Sequence, residues 1–142
     1  MSIFGKRKYA GSFLVILFSL LCIAGCGKEE KNMENTKGEV TTITAEKAYE
    51  MMQSGDDLTI VDVRTEEEYA EGHIEGAIVI PNETIGTEEI EELSDKDATL
   101  LIYCRSGRRS AQAAQKLVDL GYTNVYDFGG IIDWPYEVVQ AE

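Results

Sequence analysis

The chain has 142 residues, with 26 acidic against 13 basic side chains and a net charge of -13. That is room for one domain and a leader, with no basic surface suited to nucleic acid or an anionic lipid face. One histidine and three cysteines, two of them ahead of residue 27, are too few for a Cys/His zinc site in the domain.

The front begins with Lys6, Arg7 and Lys8, runs apolar to Leu21 and ends in small residues, the layout of a secretory signal peptide. Ile23-Ala24-Gly25-Cys26 resembles the lipobox of bacterial lipoproteins, which implies lipidation of Cys26 as the mature N-terminus. The other reading is an uncleaved anchor; Tyr9 to Gly27 is 19 residues, marginal for a span. Either way the remainder is expected outside the cytoplasm, tethered to a membrane. The polar stretch after Cys26 has linker composition. The expected division is a leader over 1–25, the lipidated cysteine and linker over 26–39, and a folded domain over 40–142. Past Cys26, ten basic residues face 26 acidic ones, a balance of -16, so membrane attachment would have to come from the lipid.

Within the domain, Thr44 caps AEKAYEMMQ, a helix stopped near Gly55. LTIVDV (58–63) is a continuously apolar, β-branched run, as in a strand buried on both faces. A short helix follows from Thr65, then a second strand over GAIVIP (76–81). ETIGTEEIEELS is a weak helix interrupted by Gly86. TLLIYC (99–104) is a third strand, SAQAAQKLVDLG (110–121) a helix with one apolar face, and NVYDF (124–128) a fourth strand. GGIIDWPYEVVQ reads as a final short helix, with Pro135 in its first turn or kinking it. Strands alternating with helices at this spacing predict an α/β fold, a small parallel sheet with helices on both faces.

In such folds ligands sit beyond the carboxyl ends of the strands. Cys104, the only thiol of the domain, lies at that place, and Arg105-Ser106-Gly107-Arg108-Arg109-Ser110 follows it. A tight loop of amides feeding a helix start is an anion site, and Gly107 permits backbone angles that other residues resist. No Asp or Glu falls in the loop or the first helical turn. This setting favours the thiolate, the reactive form of cysteine.

VDVRTEEEYAEGHIEGAIVIPN (61–82), YCRSGRRSAQAA (103–114) and VYDFGGIIDW (125–134) together resemble a single-domain rhodanese, a sulfurtransferase family with an α/β fold. The resemblance implies Cys104 as the nucleophile that becomes a persulfide, held by the amides of Arg105 to Ser110. It implies an anionic donor such as thiosulfate, favoured by Arg105, Arg108 and Arg109, and cyanide or a thiol as acceptor, with no metal or organic cofactor. Family proteins keep an acid and an arginine at Asp62 and Arg64, on the side of Cys104; a carboxylate of Asp62 or Glu67 pairing an arginine would orient the loop. His73 is expected to satisfy backbone groups in the GHIEGA turn, with a general base as the alternative. Gly129, Gly130 and Trp134 read as turn and packing residues.

Two rival functions remain open. A cysteine phosphatase needs an arginine six positions after its cysteine, and Ser110 stands there, with Arg109 one place earlier. The same enzymatic reading includes a rhodanese-fold arsenate reductase, which can draw on external thiols, although this domain offers no second cysteine to resolve an intermediate. A non-enzymatic persulfide carrier for a partner protein is the other reading. For oligomeric state, a monomer is the default of a small, very acidic domain.

Overall fold

The computed structural model describes residues 38–86 and 89–141. Five strands, β1 (Val40–Thr42), β2 (Leu58–Asp62), β3 (Ile78–Val79), β4 (Thr99–Cys104) and β5 (Asn124–Gly130), form one sheet. Its order is β1-β5-β4-β2-β3, and every pairing is parallel. The helices are α1 (Ala45–Gln53), α2 (Glu66–Glu71) and α3 (Arg108–Asp119), with single 3-10 turns at Glu91–Leu93 and Ile131–Asp133.

Alternation along the strands divides the core in two. Val61, Val63, Leu100, Ile102, Cys104 and Val125 face α3, packing with Ala113, Ala114 and Leu117. Ile60, Leu101, Tyr103 and Phe128 face the other way, toward Ala48 of α1 and Tyr69 of α2. Central β4 is buried from Leu100 onward, which is why TLLIYC is apolar without a break.

Several elements differ from the sequence expectation. β1 has only three residues, too short for a periodic signal, and is recruited by pairing with β5. β3 keeps two residues of the expected six, because it is an edge strand that ends before Pro81. The helix expected over 83–94 shrinks to one 3-10 turn; Gly86 takes φ +94°, a left-handed angle that breaks the helical path. The α3 helix starts two residues early, since Gly107 at φ +95° serves as its N-cap.

The last expected helix is absent beyond Ile131–Asp133. Pro135 neither opens nor kinks it; the residue before a proline is pushed out of the helical region, and Trp134 is extended at ψ 114°. The chain then crosses the α1–α2 face as a strap. Val139 exchanges two 2.8 Å backbone hydrogen bonds with His73, and Tyr136 stacks on Tyr49 at 3.8 Å.

Candidate active site

Cys104 closes β4 at the carboxyl end of the sheet and is 1% exposed. Its Sγ accepts a hydrogen bond from the Gly107 amide at 3.1 Å. Gly107 has no side chain to cap α3, so the amides of the first turn lack both helical and side-chain acceptors. The first turn holds no acid, leaving its partial positive charge uncancelled beside the sulfur.

The loop rests on the end of β5. Gly130 pairs with Cys104, and a Cβ at Gly130 would stand 2.6 Å from Ser106 Cα and closer still to the Arg105 carbonyl oxygen. The Ile132 amide donates to that carbonyl at 3.2 Å. Ser110 is fully buried; its hydroxyl lies 2.9 Å from the Gly107 carbonyl and 3.2 Å from that of Gly129. It ties helix, loop and β5 together, while Asp127 holds the Gly129 amide at 3.0 Å. Gly129, Gly130 and Asp127 therefore support the loop, a role the turn reading of Gly129-Gly130 missed. No local sequence signal marks it, because the close approach is between segments far apart in the chain.

The three arginines divide. Arg105 and Arg108 are exposed, and among the described residues neither guanidinium has a hydrogen-bond, ion-pair or ring partner. Every other described Lys or Arg has one. Arg109 is clamped by Glu68 of α2, with Nη1 donating to Oε2 at 2.6 Å and Nη2 to Oε1 at 2.8 Å.

Glu67, expected to pair an arginine, does not. It sits at the second position of α2 and is exposed, and bonds to its own backbone and Thr65 hold its carboxyl below the usual range. The partner is Glu68, the third helical residue, turned back by the capping box with Thr65. The T-x-x-E spacing carried that signal. The hydrogen bond from Arg109 is the main cause that lowers the Glu68 carboxyl to about 2, against an ordinary 4.5. A depressed carboxylate stabilises the fold above its unfolded value and loses that contribution as pH falls toward its folded value. Glu68→Gln should therefore flatten the stability loss of the protein between about pH 4.5 and 2, measured by urea unfolding at each pH. Parallel curves for the two proteins would mean that the clamp contributes nothing to folding.

Asp62 and Arg64 lie at the same end of the sheet as Cys104 but on its opposite face. The Arg64 guanidinium donates to Asp62 through Nε at 2.9 Å and Nη2 at 2.6 Å, and Nη2 also reaches the Gly72 carbonyl at 2.7 Å. Burial lowers the Arg64 pKa, but the hydrogen bond and charge of Asp62 outweigh it and the net direction is up. Burial, then the Asp62 charge, push the Tyr103 phenol above its ordinary range, and Tyr103 Oη accepts from the Ile74 amide at 3.2 Å. This network fixes the turn after α2. His73 is 7% exposed, stacks on Tyr69 at 3.7 Å and places Nδ1 3.0 Å from the Tyr69 carbonyl. Cys26 lies outside the described residues.

The parallel α/β domain thus seats a buried thiol at a strand end, in an acid-free loop that starts a helix. A family model described as "Rhodanese-like domain" matches residues 44–135, and the chain belongs to the rhodanese family. It is 40% identical over 73 residues to the thiosulfate sulfurtransferase PspE of Escherichia coli, covering 51% of this chain and 70% of that one. It is 38% identical over 96 residues to a sulfurtransferase of Allochromatium vinosum, covering 67% of this chain and 88% of that one. A rhodanese-like domain protein from Staphylococcus aureus superposes with a TM-score of 0.62 at 31% identity, over 72% of this chain and 99% of that one.

Proposed function

We propose that this protein is a thiosulfate sulfurtransferase working through a persulfide on Cys104. The observation that carries the reading is the Gly107 amide set 3.1 Å from Cys104 Sγ, in a loop whose Arg105 and Arg108 have no partner among the described residues. Thiosulfate would approach along Arg105 and Arg108. The Cys104 thiolate, its proton given up to solvent, attacks the outer sulfur; the S–S bond of thiosulfate breaks and sulfite leaves with the electron pair. The new terminal sulfur carries negative charge, and the amides at the start of α3 are placed to stabilise it. Cyanide or a thiolate then attacks that sulfur, and the Cys104 thiolate leaves, ready for another cycle. Sulfurtransferase relatives, several of them named for thiosulfate, support this reading. The leader and the Cys26 motif support an extracytoplasmic, lipid-anchored location.

The test is mass spectrometry of the full chain after incubation with thiosulfate. A gain of one sulfur atom, located on Cys104, reversed by cyanide and missing from Cys104→Ala, is the expected result. No adduct with thiosulfate or any other sulfane donor would overturn the proposal. Release of the lipidated chain from membranes only by detergent, abolished by Cys26→Ser, is the matching expectation for location.

A further inference from the structure

The Glu68–Arg109 clamp bears on which donors the loop accepts, given the sulfur-transfer reading above. One carboxylate serves two ends. Glu68 Oε2 accepts from the Thr65 amide at 3.1 Å, closing the capping box of α2, while both oxygens hold Arg109 in the first turn of α3. Arg109 is not remote from the chemistry. It belongs to the first turn of α3, the helix that starts from the Cys104 loop. Its side chain is 21% exposed and that of Glu68 is 26% exposed, so neither is sealed away from an incoming solute.

We propose that Glu68 is a specificity-determining residue: by occupying both terminal nitrogens of Arg109 it cancels that charge at the mouth of the loop, leaving Arg105 and Arg108 to read an anionic donor. The pair acts as a neutral unit, and its net charge can be set by substitution. Wild type and Glu68→Gln/Arg109→Ala carry zero at this position, Glu68→Gln carries one positive charge, and Arg109→Ala leaves one negative charge. Anion entry should follow that charge and not the integrity of the clamp. Gln can still accept from Thr65, so Glu68→Gln retains an acceptor for the capping box.

The experiment uses the full chain and these four proteins. The rate of thiosulfate loading onto Cys104 is measured at low ionic strength, together with the ratio of iodoacetate to iodoacetamide alkylation at Cys104. The ratio compares an anionic with a neutral probe of similar size, so changes in thiol reactivity cancel. Both readouts should rank Glu68→Gln highest and Arg109→Ala lowest, with wild type and the double variant between them. Steps of about three- to tenfold per charge are expected at low salt, shrinking above physiological ionic strength. A clamp that is merely structural would instead slow loading in all three variants and leave the alkylation ratio flat, which overturns the proposal. So does a ratio that moves without regard to charge. If no protein takes up sulfur while the alkylation ranking holds, the charge role stands and the sulfurtransferase reading is the one that falls.

Discussion

Gly130→Ala is expected to reduce sulfur loading of Cys104 by about 100-fold or more, the scale of a loss of positioning at a reacting centre. The added methyl would lie 2.6 Å from Ser106 Cα and also collide with the Arg105 carbonyl oxygen. Both neighbours are backbone, so no side-chain rotation relieves the clash; either the loop lifts away from β5 or the end of β5 gives way. Lifting the loop strains the Ile132–Arg105 and Ser110–Gly129 hydrogen bonds and moves the Gly107 amide that lies on the sulfur. The overpacking itself should cost about 1–3 kcal/mol, small enough for the variant to stay folded and show the kinetic defect by itself. Single-turnover persulfide formation, followed beside circular dichroism, is the measurement. Loading within a few-fold of wild type would show that the loop does not depend on this close approach.

Asp62→Ala should produce the largest loss of stability of any single change considered, about 3–5 kcal/mol. Asp62 is fully buried and Arg64 is 6% exposed. Removing the carboxylate leaves a guanidinium under the sheet whose remaining contacts among the described residues are the Gly72 carbonyl and the face of Tyr103, with only the more distant charge of Glu68 to offset it. The unpaired charge, and not the loss of attraction, accounts for the magnitude. Replacing both members, as in Asp62→Leu/Arg64→Met, should therefore recover most of the loss. Denaturant unfolding of the three proteins decides it, and a double variant no better than Asp62→Ala would refute the unpaired-charge account. Because the pair lies on the face away from Cys104, Asp62→Asn, at temperatures where it is folded, should still load sulfur at a rate near that of wild type.

The strands and helices with strong local signals were legible. TLLIYC is the observed strand to the residue, and Thr44 and Thr65 cap their helices as their positions suggest. Weak elements went astray where one residue or a partner strand decided the outcome. Gly86 and Pro135 ended helices that composition favoured, and β1 exists because β5 offers it an edge. At the site, Cys104 and its acid-free loop are legible in the sequence; of the two carboxylates expected to pair an arginine, Asp62 does so with Arg64, behind the sheet, while Glu67 does not and its neighbour Glu68 holds Arg109.

Composition, the run of β-branched strands and the spacing of the loop around Cys104 are local properties, so the sequence by itself determined the class of fold, the family resemblance and the thiol. Only the tertiary structure decided which of three neighbouring arginines is paired, because Glu68 is 41 residues from Arg109. It also placed Asp62 and Arg64 behind the sheet, through the alternation of side chains along adjoining strands. Likewise, the close approach at Gly130 exists only because β5 brings it under the loop, since a missing side chain has meaning only against the atoms that fill its place.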